Sequence, residues 1–261
     1  MTQAATVAVL GLGEAGSAIA RDLAAAGARV RGFDPVRPAP AGVEAARDAS
    51  AAAASSGIVL SASTASVALE VAETVAPVLR RDALFADLNT SAPALKRAIA
   101  ELVGARGVRF ADVALLRGVP GLGVGTPALV SGTGAETFAA TFRGFGMPVT
   151  EVGTEAGAAA ARKLARSVFM KGLAAALGEA LAAGERLDCE EWLRADIEST
   201  LVDADGRLVD RLMDGSRMHA DRRLEEMSSA VAMLEELGVE PRIAAASEAW
   251  LRSLAGIEVS R

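Results

Sequence analysis

The sequence predicts an α/β chain, a doubly wound and mostly parallel sheet followed by an all-helical second domain. Three observations carry this expectation. The short apolar run TVAVL, residues 6–10, stops at a cluster of glycines. Strand-like and helix-like segments then alternate as far as residue 153. From about Thr154 onward no convincing strand pattern recurs.

TVAVL is apolar at every position, as a central parallel strand with both faces covered should be. A helix over 14–26 and a second apolar run over 28–33 complete a strand–helix–strand unit of about the minimal length for a right-handed crossover. The second run ends at Asp34 and the proline-rich stretch DPVRPAP. The alternation continues with a strand over 58–61, a helix over 67–79, a strand over 83–88 and a helix over 93–103. Further strands are expected over 108–113, 128–131 and 148–152, with a helix over 135–145 between the last two. Residues 155–183 then read as one long Ala-rich helix, and shorter helices follow to Leu254. The predicted organisation is a sheet domain over 1–153 and a helical substrate and dimerisation domain over 154–261.

Composition narrows the function. The chain has 261 residues, 51% of them hydrophobic, enough for one large core or two modest ones. Its net charge of −6 supplies no basic field for a phosphate backbone, so nucleic acid is not an expected partner. The absence of Tyr excludes any mechanism with a tyrosine hydroxyl as proton donor, including the Tyr/Lys pair of short-chain dehydrogenases. One cysteine, Cys189, and one histidine, His219, cannot build a disulfide framework or a Cys/His zinc site, so no metal is expected and the setting reads as reduced and cytoplasmic. Alanine, roughly a fifth of the chain, raises the mean hydropathy without a membrane-length run of large apolar side chains, and no membrane span is expected. The N-terminal MTQAATVAVLGLG lacks a basic leader region and reads as a first strand rather than a signal peptide.

Gly11, Gly13 and Gly16 form G-L-G-E-A-G directly between a predicted strand and a predicted helix. In that context the first glycine permits the tight turn, the second lets the backbone approach a pyrophosphate, and the third allows close helix packing. Asp34 lies 18 residues beyond Gly16 at the end of the second strand, where a carboxylate accepts hydrogen bonds from an adenosine ribose. Together they indicate a Rossmann-like dinucleotide-binding domain. Asp34 would repel a 2′-phosphate and so slightly favours NAD. Arg37 keeps NADP open, because it can fold over the adenine, bind a 2′-phosphate or simply be solvated.

SAST at 61–64 and NTS at 89–91 lie at carboxyl ends of predicted strands, where open α/β sheets place ligands. Ser63, Thr64 and Asn89 are thus candidates for the nicotinamide half. The same residue types are ordinary helix caps, and at least one member of each cluster is expected to cap a helix starting near Ser66 or Pro93.

Lysine is rare: the only three are Lys96, Lys163 and Lys171, and every other basic residue is Arg. An amine can shed its proton at an accessible pH and a guanidinium cannot, so each lysine raises a chemical question. Lys163 opens the long helix at the expected domain junction, where the chemistry should occur, and shares a helix face with Ser167, so an ammonium and a hydroxyl are placed to converge on one substrate oxygen, and both are catalytic candidates. Lys171 lies about 80° off its direction. The alternative is a lysine on an exposed face. His219 precedes the charged segment ADRRLEEM, either as part of a solvated face or as a contact for a polar or anionic substrate.

Four pieces of this sequence, VAVLGLGEAGSAIA, DLNTSAP, DVALLRGVPGLGVGTPALVSG and GAAAARKLARS, resemble the β-hydroxyacid dehydrogenase superfamily, which includes 3-hydroxyisobutyrate and 6-phosphogluconate dehydrogenases. Nearly the whole chain is covered. The C-terminal segments KLARSVFMKGLAAALGEAL and HADRRLEEMSSAVAMLEELGVEP look like a phosphogluconate-dehydrogenase-like helical domain. The resemblance implies NAD(P)-dependent hydride transfer between nicotinamide and a small hydroxy acid or alcohol, or its carbonyl counterpart. It also implies Lys163 as the acid/base and a homodimer with exchanged helices. Two departures matter. Ser167 stands where the family usually has Asn, and Leu116-Arg117-Gly118 replaces the family's Ser-Gly-Gly turn. Arg117 is then a candidate acid clamp, with Gly118 beside it. Imine reduction is a close variant, and a catalytically silent dinucleotide-binding sensor or a helical interaction module is the rival class.

Overall fold

The computed structural model describes residues 5–256. They divide into two compact units, the first ending at Arg166 and the second beginning at Ser167. This division falls inside a continuous helix.

The first unit is an eight-stranded sheet. In chain order its elements are β1 (Thr6–Leu10), α1 (Glu14–Ala25), β2 (Arg29–Phe33), β3 (Glu44–Ala45), α2 (Ala49–Ala54), β4 (Ile58–Ser61), α3 (Ala68–Val75), β5 (Leu84–Asp87), α4 (Pro93–Gly104), β6 (Arg109–Leu115), β7 (Ala128–Ser131), α5 (Ala135–Gly144) and β8 (Val149–Glu151). Across the sheet the order is β3-β2-β1-β4-β5-β6-β7-β8. Every neighbouring pair is parallel except β6 with β7. The doubly wound sheet that the sequence predicts is therefore present. The two-residue β3 and the short helix α2 are additions, too short for periodicity to reveal.

Why the sheet is two-sided follows from β1. Its alternate residues Val7 and Val9 enter the cluster containing Ile19 and Leu23 of α1 and Phe138 and Phe142 of α5. Ala8 and Leu10 point the other way, into a cluster with Ala72 of α3 and Ile99 and Val103 of α4. Residues two apart share a face, so an uninterrupted apolar strand must be covered on both sides. The strand order reverses between β1 and β4, the switch point at which such sheets open a crevice at their carboxyl ends.

The long helix α6 (Ala158–Arg186) leads into the second unit, which continues with α7 (Glu190–Val202), α8 (Leu208–Met218), α9 (Ala220–Glu236) and α10 (Arg242–Leu254). Its core is thin: Ala183, Leu234 and Ala244 are the buried members of its cluster. Glu179 accepts from the backbone N–H groups of Ile243 and Ala244, both at 2.8 Å, and so caps the start of α10. By length and composition alone α6 could cross a membrane. Its apolar character comes largely from alanine rather than from large side chains.

Candidate active site

The glycine turn after β1 has a separate reason for each glycine. Gly11 has φ +96°, and a Cβ there would stand 2.5 Å from the Ala62 carbonyl oxygen at the end of β4. A Cβ on Gly16 would stand 1.9 Å from the Gly11 carbonyl oxygen, so α1 can pack onto the turn only without one. Around Gly13 a Cβ would meet no atom within 4 Å. That space belongs to a cavity of about 490 Å³ lined by Gly11, Gly13, Asp34, Arg37, Ser63 and Thr64, among others.

Asp34 braces this cavity. Its Oδ2 accepts from Leu12 N at 2.8 Å, and its Oδ1 accepts from Val36 N and Arg37 N at 2.9 Å each. Burial pushes its pKa up, but these three N–H donors and the nearby Arg37 guanidinium outweigh burial and hold it below the usual carboxylate value. An ionised carboxylate offers about four lone-pair sites, so about one, on Oδ2, is left for a hydroxyl. Backbone amides at a helix start, an open approach at Gly13 and a carboxylate at the end of β2 fit a dinucleotide: phosphates at the turn, ribose at Asp34.

A second cavity of about 440 Å³ shares Ala62, Ser63 and Thr64 with the first. Its lining brings together Asn89, Thr90, Arg117, Gly118, Lys163 and Glu14. Lys163 Nζ donates to Thr90 Oγ1 at 2.7 Å, joining α6 to the loop after β5. The segment carrying Arg117 and Gly118 is anchored at both ends. Leu116 N donates to Pro127 O at 2.8 Å, and Val124 N donates to Asp22 Oδ2 on α1, also at 2.8 Å. Among the described residues no group of three or more His, Cys, Asp or Glu side chains could hold a metal.

Thr90, as a partner of Lys163, was not among the sequence candidates; only the Asn89–Ser91 cluster as a whole pointed to it. Ser63, Thr64 and Asn89 all reach a cavity. The expected capping role does not hold, because the N-cap positions of α3 and α4 are Val67 and Ala92, and neither helix has a side-chain cap. The residues proposed as caps line the crevice instead, and α4 relies on Pro93, whose missing N–H needs no acceptor. Ser167 follows on α6 as a half-buried residue, and Lys171 and His219 are exposed in the second unit.

Beneath the second cavity lies a buried ion cluster that the sequence did not predict. Lys96 Nζ stands 2.8 Å from Asp87 Oδ2 and 3.2 Å from Asp112 Oδ1, and all three side chains are fully buried. The same ammonium donates to the Asp87 carbonyl oxygen at 2.8 Å.

Comparison with known proteins agrees with this geometry. Residues 6–153 match the NAD-binding domain of 6-phosphogluconate dehydrogenase. This chain belongs to that family. Behind its NAD-binding domain, residues 185–254 match a domain of unknown function, DUF1932. An uncharacterised 28.5 kDa protein of Methanothermus fervidus, described as lying in the 7S RNA 5′ region, is 28% identical over 172 residues, 66% of this chain. That match spans 65% of the relative's length. A solved conserved protein of unknown function, described as structurally similar to 3-hydroxyacid dehydrogenases, is 28% identical with a TM-score of 0.63, covering 96% of this chain and 97% of the other. The V8 variant of an imine reductase of Myxococcus stipitatus, in complex with NAD+, shares the fold with a TM-score of 0.85 at 22% identity, covering 97% and 94%. Thus the NAD-binding domain of 6-phosphogluconate dehydrogenase type is joined here to a helical unit of another description.

Proposed function

We propose that this member of the 6-phosphogluconate dehydrogenase NAD-binding family is an NAD(P)-dependent oxidoreductase acting on a small hydroxy acid or alcohol, or on its carbonyl counterpart. Lys163 is its general acid/base. The observation that carries the reading is the Lys163–Thr90 hydrogen bond inside a cavity continuous in its lining with the glycine-turn crevice. When bound, the nicotinamide supplies or accepts the hydride.

Gly11, Gly13 and Gly16 would hold the pyrophosphate at the start of α1, Asp34 the ribose, and Arg37 the adenine side. Ser63, Thr64 and Asn89 would hold the nicotinamide half. Asp34 tilts the choice toward NAD because a second negative charge beside it is repelled. Thr90 Oγ1 accepts a hydrogen bond from Nζ and so fixes the direction of the amine. In oxidation Lys163 Nζ takes the substrate hydroxyl proton; in reduction it returns a proton to the forming alkoxide. Arg117 presents a guanidinium that suits a substrate carboxylate, with the Gly118 backbone leaving room beside it. Ser167, one turn beyond Lys163 on the same helix, is the proposed second catalytic group, its hydroxyl converging with the amine on the substrate oxygen, and Lys171 and His219 are proposed substrate contacts.

Imine reduction is the second reading. It is favoured by Glu14, which lines the same cavity and supplies the carboxylate that a protonated imine would seek. A panel of hydroxy acids, keto acids, aldehydes and cyclic imines, followed by NADH and NADPH absorbance, tests both. Turnover of carbonyl acids supports the first reading, and turnover of imines alone supports the second. Cofactor binding without turnover of any class overturns both in favour of a silent sensor.

We also propose a reduced cytoplasmic setting, and a second copy of the chain as partner. The second proposal is supported by the thin helical core and by large apolar side chains left in water, Trp192 at 66% and Val202 at 83% exposed.

A further inference from the structure

The cluster of Lys96, Asp87 and Asp112 has no contact with either cavity, yet its hydrogen bonds lead to two walls of the second one. Two carboxylates against one ammonium leave a formal excess of negative charge in a dry interior, which is tolerable only where further donors hold it. Asp87 Oδ2 and Asp112 Oδ1 have no hydrogen-bond partner among the described residues apart from the facing ammonium. The other oxygen of each is the outward connection.

On one side, Asp87 Oδ1 accepts from the Asn89 side-chain Nδ2, which also donates to Ser61 Oγ at 3.0 Å and leans toward Ser63 Oγ at 3.4 Å. With its nitrogen held inward, the Asn89 amide turns its carbonyl away from the cluster, and Asn89 lines the second cavity. On the other side, Asp112 Oδ2 accepts from Gly157 N at 3.1 Å, Ala160 N at 3.0 Å and Ser131 Oγ at 3.2 Å. Ser131 Oγ in turn accepts from Ala159 N at 3.0 Å. Helix starts carry N–H groups with no partner inside the helix; here three around the start of α6 are satisfied from β6 and β7, with a carboxylate at the positive end. Lys163 is on the next turns of that same helix.

We propose that Lys96 is a positioning residue. By pinning Asp87 and Asp112 with one ammonium, it fixes the Asn89 amide and the start of α6 together, and thereby sets where Lys163 Nζ stands. The proposal rests on the reading of Lys163 as the proton carrier. Remove the ammonium and two carboxylates face each other without a counter-charge. One of them must turn away or take up a proton, and either Asn89 or α6 loses its anchor.

Besides its α-amine the chain has only three lysines, so its amines can be read one by one. After reductive methylation with ¹³C-formaldehyde, the dimethylamine signals of Lys163 and Lys171 are assigned with Lys171→Arg. They are then titrated by NMR in wild type, Lys96→Met, Asp112→Asn and the buried-core control Val103→Ala. In both cluster variants the Lys163 midpoint is expected to move by about half a pH unit or more, while Lys171 stays. Unmethylated protein should lose about a hundredfold in kcat in the same two variants. The Val103→Ala control should lose melting temperature and leave the Lys163 signal in place. If Lys96→Met yields no folded protein, Asp112→Asn gives the same reading, because its single acceptor oxygen cannot serve both the Lys96 ammonium and the amides at the start of α6. An unchanged Lys163 midpoint in every folded cluster variant, or an equal shift in Val103→Ala, overturns the proposal. Full turnover by Lys163→Ala would instead overturn the acid/base reading, because the NMR comparison does not depend on turnover.

Discussion

The backbone N–H of Leu12 donates to Asp34 Oδ2 at 2.8 Å, tying the middle of the glycine turn to the end of β2. Asp34 therefore shapes the turn as well as lining the cavity beside it. Asp34→Asn keeps one acceptor oxygen and loses the charge. NADH affinity, measured by fluorescence titration, should fall about tenfold, in line with the loss of one charge-assisted hydrogen bond, and the ratio of NADPH to NADH affinity should rise.

The same carboxylate fixes a pH dependence. Its folded pKa is lowered, despite burial, by the three backbone donors and Arg37. A depressed folded pKa gives stability that is fully present above the unfolded value and is lost as pH falls through the folded one. The difference in melting temperature between wild type and Asp34→Asn should be constant above about pH 5 and shrink below about pH 4.

Gly13 and Gly16 should separate binding from folding. Gly16→Ala forces a Cβ to within 1.9 Å of the Gly11 carbonyl oxygen and should cost about 3 kcal/mol or abolish soluble expression. Gly13→Ala meets no protein atom and sits at φ −65°, so its melting temperature should match wild type while NADH affinity drops. Thermal melts with and without NADH distinguish the two.

The anchoring of the Arg117 segment by Asp22 should appear in kinetics. Asp22→Ala leaves Val124 N without its acceptor and loosens the segment at its far end. KM for substrate is expected to rise several-fold with NADH affinity unchanged, and Arg117→Ala should raise KM further if the substrate is an acid. In the helical unit, Glu179→Ala removes the cap on α10 and should lower stability by about 1–2 kcal/mol in urea melts.

How much of this was legible in the sequence follows from the range of each signal. The glycine turn, Asp34 and the alternation to residue 153 are local patterns, and they appear where periodicity and spacing put them. Lys163 could be singled out because lysine is rare and because four pieces of sequence resembled one superfamily. Thr90 is 73 positions from Lys163, and no spacing rule links them. Lys96 stands out in the sequence as a rare lysine, but its partners lie on two different strands, and only the sheet register brings Asp87 opposite Asp112. The capping expectation failed because Ser, Thr and Asn at strand ends serve two chemistries, and the crevice took precedence over the helix starts.

The central claim concerns one amine. The most direct test compares Lys163→Met with wild type for kcat on the best substrate of the panel and for the NADH dissociation constant. The account predicts kcat lower by about a hundredfold or more, with NADH binding within about twofold of wild type. A variant that binds NADH and turns over at the wild-type rate would contradict it.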